Sequence, residues 1–263
     1  MKNIITLILT LSLLAGCGGD FQWLPDNQPI TPTPPTPAGT VKKTIPFPAG
    51  ISWVVDLASD RTGATLWLLT GASNSAATAL VQVNSSTGQV VNTLAANNWP
   101  IFINQNSSLA FDGQQFWATS YGFLNGIPQS FIYELDGTAR VIATYQCPAT
   151  TTGFCQGLAW DGATFWTAGS DNSSLARFEL VGTALQSQSF NNLWDTAGVT
   201  DVAFDTGAKQ VLVTKNQLLF FSLQQATVVA KQTLPQTGTG DWDGSLLWVI
   251  DNTNRKILGM TIR

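Results

Sequence analysis

The chain has 263 residues, no histidine and a formal net charge of -4, with 11% charged residues against 44% hydrophobic ones. A mildly acidic chain without a basic stripe is not expected to bind nucleic acid. The missing imidazole removes Ser-His-Asp and Cys-His catalysis and every His-containing metal site, so an enzyme built here would work with carboxylates, Lys or Tyr.

In chain order, Met1-Lys2-Asn3 followed by the apolar run Ile4 to Leu14 has the length of a secretory signal and is too short to span a bilayer. Leu14-Ala15-Gly16-Cys17 resembles the lipobox of bacterial lipoproteins, so residues 1–16 are expected to be a signal peptide. The resemblance implies acylation of Cys17, palmitate included, and more than one acyl chain is what stable anchoring requires. Gly18 rather than Asp after the Cys resembles the outer-membrane address of Gram-negative lipoproteins. The expected location is therefore the cell envelope, lipid-anchored and extracytoplasmic. Residues 17–39 read as a linker, because Thr31-Pro32-Thr33-Pro34-Pro35-Thr36-Pro37 favours extended polyproline geometry.

From residue 40 to 263 one phrase returns. It runs Leu109-Ala110-Phe111-Asp112-Gly113 with Phe116-Trp117, then Leu158-Ala159-Trp160-Asp161-Gly162 with Phe165-Trp166. Looser copies are Leu57-Ala58-Ser59-Asp60 with Leu66-Trp67, Val202-Ala203-Phe204-Asp205 with Val211-Leu212, and Trp242-Asp243-Gly244 with Leu247-Trp248. Repetition at roughly 40 to 50 residues is the period of a four-stranded blade, so the fold class is all-β, a five-bladed β-propeller. In each copy an apolar strand enters a turn at Asp, and a second strand carries a bulky residue five or seven positions later. A change of two preserves the face of the strand. The repeated Asp and Trp are expected to be scaffold, as turn residues and inter-blade packing.

The last copy has only three strands, ending with Lys256 to Ile262. Lys42-Lys43-Thr44-Ile45-Pro46 resembles Lys231-Gln232-Thr233-Leu234-Pro235, the end of a fourth strand, so residues 41 to 47 are expected to complete the last blade. The Trp-Asp pairs at 160–161 and 242–243 close first strands, whereas a WD40 pair closes a third, so the WD40 signature is not the one present.

Few residues fall outside this pattern. Cys147 and Cys155 are expected to form a disulfide in an exported chain. Asp56 and Asp201 each precede a turn Asp by four residues, where other copies have Ser108 and Gly157; they would be the carboxylates of an enzyme, or would bond strand-end amides. No metal site or cofactor is expected. Ca²⁺ is the one candidate, at Asp171-Asn172-Ser173 and Asp251-Asn252-Thr253-Asn254, where Asx-turns account for the same residues. Trp99 and Trp194 follow Asn-rich stretches between a fourth strand and the next inner strand, and Tyr121 and Phe123 lie in the connection Ser120 to Ser130. These four are the candidate ligand-binding residues, able to stack on sugars or to receive apolar side chains, or else to plug gaps between blades.

Phe154-Cys155-Gln156-Gly157-Leu158-Ala159-Trp160, followed by Ser174-Leu175-Ala176-Arg177, is similar to the Phe-Thr-Gln-Gly-Leu opening of the propeller-type glutaminyl cyclotransferases. The resemblance implies five blades and cyclotransferase chemistry, but it covers little more than one blade. The family's Asn-Glu-Leu-Glu run and Glu-bearing inner strands are missing; Glu134 and Glu179 are the only glutamates. The leading expectation is a monomeric, membrane-anchored binding or scaffold module for an envelope protein, peptide or glycan. The alternative is an enzyme, glutaminyl cyclotransferase-like or glycan-active, using Asp56 and Asp201 at the channel mouth.

Overall fold

The computed structural model describes residues 39–71, 77–96, 99, 107–124, 127–147, 155–169, 174–181, 184–191, 193–194 and 198–262. The expected signal, and the expected linker up to residue 38, lie outside them. The chain enters through β1 (Thr40–Pro46). Blade 1 follows as β2 (Trp53–Ser59), β3 (Thr65–Gly71), β4 (Ala77–Asn84) and β5 (Val90–Ala95), and blade 2 as β6 (Leu109–Phe111), β7 (Phe116–Leu124), β8 (Ile127–Leu135) and β9 (Val141–Gln146). Blade 3 is β10 (Cys155–Trp160), β11 (Phe165–Gly169), β12 (Leu175–Val181) and β13 (Ala184–Phe190). Blade 4 is β14 (Asp201–Asp205), β15 (Gln210–Thr214), β16 (Leu218–Ser222) and β17 (Thr227–Gln232). Blade 5 has β18 (Gly240–Trp242), β19 (Leu247–Asp251) and β20 (Lys256–Thr261).

Each blade is an antiparallel sheet of four strands, and the fourth strand of blade 5 is β1, in the order β1-β20-β19-β18. Ile45 lies opposite Ile257 and Pro46 opposite Lys256, so the start of the propeller closes its end and covers an edge that would otherwise be open. Around the centre the inner strands touch in a closed cycle, β2 to β6, β10, β14, β18 and back to β2. The hairpin turns between first and second strands lie on one face, the turn face. Second and fourth strands end, and third strands and the next inner strands begin, at the other, the loop face.

The core is divided among the seams between blades. One apolar cluster joins blades 5 and 1 through Leu66, Leu68, Trp248 and Ile257, and another joins blades 1 and 2 through Trp67, Leu69, Leu109 and Phe116. The remaining seams are filled around Trp117 and Phe165, around Trp166 and Phe204, and around Leu212 and Leu247. A second strand therefore serves two seams: Leu66 and Leu68 face one way, Trp67 and Leu69 the other. That explains continuously buried runs such as Leu66 to Thr70, where a half-exposed strand would alternate, as β9 does.

The repeated phrase has a hydrogen-bond explanation beyond packing. In blades 2, 3 and 5 the indole Nε1 of Trp117, Trp166 and Trp248 donates to Oδ2 of Asp112, Asp161 and Asp243, at 2.9, 2.8 and 2.6 Å. The other oxygen of each Asp accepts amides of its own turn, for example Ala163 and Thr164 on Asp161. The five-residue offset brings ring and carboxylate together. Where the offset is seven, Asp60 Oδ2 instead accepts the amide and hydroxyl of Thr65. The register survives as expected: Trp67, Trp117, Trp166 and Leu212 lie opposite Ala58, Ala110, Ala159 and Ala203.

One expectation changes. The stretch Ser120 to Ser130, read as a connection, continues the β7–β8 ladder, with Tyr121 opposite Ser130 and Phe123 opposite Pro128.

Candidate functional site at the central channel

Four residues before each turn Asp stand Asp56, Ser108, Gly157, Asp201 and Thr239. They form one ring of links between inner strands. Asp56 accepts the amide of Leu57 through Oδ1 at 2.8 Å and that of Leu109, in the next blade, through Oδ2 at 2.6 Å. Ser108 Oγ accepts the amide of Gly157 at 2.8 Å. Gly157 has φ 78°, and a Cβ there would lie 2.3 Å from the Val202 nitrogen, so this link is a backbone approach that only Gly permits. Asp201 repeats the pattern of Asp56, with Oδ1 on the amide of Val202 and Oδ2 on that of Gly240 at 2.6 Å. Thr239 closes the cycle by donating to the Val55 carbonyl at 3.0 Å.

The two carboxyls also meet each other across the channel, within hydrogen-bonding reach. Asp56 is 0% and Asp201 1% exposed. Burial pushes Asp56 well above the usual carboxylate range, and the neighbouring Asp201 charge adds to it, against the amides of Leu109 and Leu57. Burial raises Asp201 to about 7, opposed by the amides of Gly240 and Val202. Two carboxylates this close do not both ionise readily, so the pair holds a proton between its members. Chemically, the arrangement ties four inner strands together through one proton and four backbone amides.

Sequence reasoning did not single out a third carboxylate, Asp241. It stands where the other inner strands have Ala58, Ala110, Ala159 and Ala203, and that substitution within the repeat was the available signal. Its Oδ2 accepts the amide of Ser59 at 2.8 Å, joining blade 5 to blade 1, and burial raises it to about 6. Arg61, at the blade 1 turn, lies beside it. Although Arg61 as a residue is exposed, enclosure of its guanidinium lowers its pKa, while the charges of Asp241, Asp161 and Asp112 oppose that shift. Arg61, Asp241, Trp160 and Phe204 line a cavity of about 40 Å³ at the turn face, room for little more than water.

The other sequence-derived residues are placed as follows. Trp99 is half-buried; its indole packs on the cluster between blades 1 and 2 and donates to the Ala139 carbonyl at 2.6 Å. Trp194 is 7% exposed in the cluster between blades 3 and 4, and its Nε1 is buried without a hydrogen-bond partner. Tyr121 and Phe123 belong to β7, on the loop-face side of blade 2. Cys147 and Cys155 form a disulfide with Cα atoms 6.2 Å apart, fastening the end of blade 2 to the inner strand of blade 3. Of the Ca²⁺ candidates, Asp171 to Ser173 lie outside the described residues. Asp251 accepts the amide and side-chain nitrogen of Asn254, and Asn252 pairs with both backbone groups of Val54. Among the described residues, no three His, Cys, Asp or Glu side chains converge as metal ligands.

No family model matches the sequence, and no curated protein matches it. Among solved structures the fold is similar to the glutaminyl cyclase of Myxococcus xanthus, with a TM-score of 0.58 and 13% identity over 85% of this chain and 95% of that one. The WD40 β-propeller domain of Doa1 aligns with a TM-score of 0.48 and 12% identity, over 79% of this chain and 78% of that one. At such identities the likeness is one of architecture: the chain folds as a five-bladed β-propeller.

Proposed function

We propose that this protein is a non-catalytic binding or scaffold module, monomeric and held in the cell envelope by a lipid on Cys17, presenting its loop face to an envelope protein, a peptide or a glycan. The observation that carries the non-catalytic reading is the state of Asp56 and Asp201. Carboxyls with raised pKa values in a channel are the usual mark of an active site. Here each oxygen accepts a main-chain amide and neither side chain is exposed, so the pair serves the ring and offers no face to a substrate. The recognition residues are drawn from Trp99, Tyr121, Phe123 and Trp194. Trp99 and Trp194 pack between blades 1 and 2 and between blades 3 and 4, and Tyr121 and Phe123 belong to β7 of blade 2.

The test has two arms. Cys17→Ser should move the protein from the membrane to the soluble fraction, and unchanged membrane retention removes the anchor. Tyr121→Ala with Phe123→Ala should cut recovery of the partner cross-linked in intact cells by about tenfold while the melting transition is retained, because binding energy concentrates in aromatics. Turnover of an N-terminal glutaminyl peptide or a glycan that is lost in Asp56→Asn with Asp201→Asn would overturn the non-catalytic reading.

A further inference from the structure

The seams differ in one respect that concerns the turn face. At the register positions opposite Ala58, Ala110, Ala159 and Asp241, four blades place a tryptophan: Trp67, Trp117, Trp166 and Trp248, all buried. Blade 4 places Leu212 there, opposite Ala203. The seam between blades 4 and 5 is correspondingly the one built without a second-strand indole, and its turn-face end is open. A pocket of about 480 Å³ lies there, lined by Asp205 and Ala208 of the blade 4 turn, Trp242 and Ser245 of the blade 5 hairpin, and Thr261 and Ile262 at the end of the third strand. The volume falls within the range of small-ligand sites. Trp242 links pocket and seam: it packs on the cluster containing Leu212 and Leu247 while lining the pocket, and its own Nε1 is buried without a partner.

We infer that this pocket receives an indole supplied from outside, the tryptophan side chain of a partner protein or peptide, in the seam where no second strand supplies one. The wall composition agrees. Trp242, Ile262 and Ala208 offer an apolar bed for a flat ring. The hydroxyls of Ser245 and Thr261 offer acceptors for an indole N–H, beside the Asp205 carboxylate, whose Oδ1 accepts the amides of Gly207 and Ala208; Asp112, Asp161 and Asp243 hold the tryptophans of their own blades by the same kind of N–H···O bond. The site is on the face opposite the loop-face surface proposed above and does not depend on it. A partner engaging it needs one exposed tryptophan, and flanking residues of its chain would occupy the remainder of the pocket.

The experiment is a ligand-detected NMR titration of the purified protein with N-acetyl-tryptophanamide, alongside N-acetyl-leucinamide and methyl glucoside. The expected result is saturable binding of the tryptophan derivative in the millimolar range or tighter, and at least tenfold weaker binding of the other two. Leu212→Trp, which restores the internal indole, and Ala208→Phe, which fills the pocket from its rim, should each weaken binding at least tenfold. Should Leu212→Trp fold poorly, Ala208→Phe alone decides. Absence of saturation, equal binding of the leucine derivative, preference for the glucoside, or affinity unchanged in Ala208→Phe overturns the inference.

Discussion

The seam between blades 2 and 3 and the seam between blades 4 and 5 follow one plan with different residues. In the first, Trp117 lies 4.5 Å centroid to centroid from Phe165, Phe165 in turn stacks on Phe178, and the indole is bonded to Asp112. A disulfide fastens the same pair of blades on the far side. In the second, Leu212, Leu247 and Met260 occupy the corresponding places, and the turn-face end opens into a pocket beside Trp242. Strand order and register are the same in both, so the repeat determines the architecture and departures from it determine where the surface has room for something else. Asp241, the carboxylate in a ring otherwise made of alanines, teaches the same lesson inside the channel.

The largest effect expected from breaking this plan is at the seam that the chain closes with a distant segment. Ile45 and Phe47 enter the cluster between blades 5 and 1, and β1 covers the edge of β20. A chain beginning near Gly50 should lose several kcal/mol, a large part of the roughly 5–15 kcal/mol of an ordinary domain. Urea unfolding measures it, and a truncated protein as stable as the full chain would mean that blade 5 does not depend on its borrowed strand.

A smaller effect comes from exchanging the two seams' residues. Trp117→Leu gives the closed seam the residue of the open one and removes both ring packing and the bond to Asp112, a cost of about 2–4 kcal/mol. Leu212 is buried in its cluster and is not a wall of the pocket, so the ring of Leu212→Trp has to reach toward Asp205 for room; the cost should be about 1–3 kcal/mol, below that of Trp117→Leu. Equal losses in paired melts would show that the open seam is as tightly filled as the closed one.

Much of this was legible in the sequence because a repeat multiplies weak signals. One Asp-Gly pair followed by Phe-Trp is ambiguous, but its return at blade length identifies the fold, and the likeness of Lys42–Pro46 to Lys231–Pro235 identifies the donor of the last strand. The offset of Asp56 and Asp201 from their turns placed both on inner strands, where they meet. What remained hidden depends on contacts between blades. Nothing local to Trp117 says that its indole reaches Asp112 rather than only packing. Nothing local to Trp99 distinguishes a loop aromatic from one folded down onto Ala139. The β7–β8 arm reads as a connection in the sequence because Gly122, Gly126 and Pro128 resemble loop composition, whereas the ladder tolerates Gly122 and Pro128 at the outer end of a hairpin.

The smallest effect compares the proton-holding layer of the channel with the alanine layer beside it. In the unfolded chain an aspartate titrates near about 3.9. In the folded ring burial holds Asp56 well above its ordinary value, Asp201 at about 7 and Asp241 at about 6. Between those limits the folded protein keeps protons that the unfolded chain has released, so the contribution of these three carboxyls is full below about pH 4 and falls as the pH rises toward 7. Each such proton contributes a slope of up to about 1.4 kcal/mol per pH unit. Asp161 acts in the opposite sense and lower down: burial there is outweighed by hydrogen bonds from Thr164 and Trp166, its pKa is lowered, and its contribution is lost only on acidification. Urea unfolding at intervals across that window should therefore show decreasing stability. In Asp201→Asn the decrease should be shallower whatever the absolute stability, because a carboxamide beside Asp56 has no proton to release. An identical slope in the variant would separate the carboxyl pair from the pH response and leave Asp241, with Arg61 beside it, as the group that titrates.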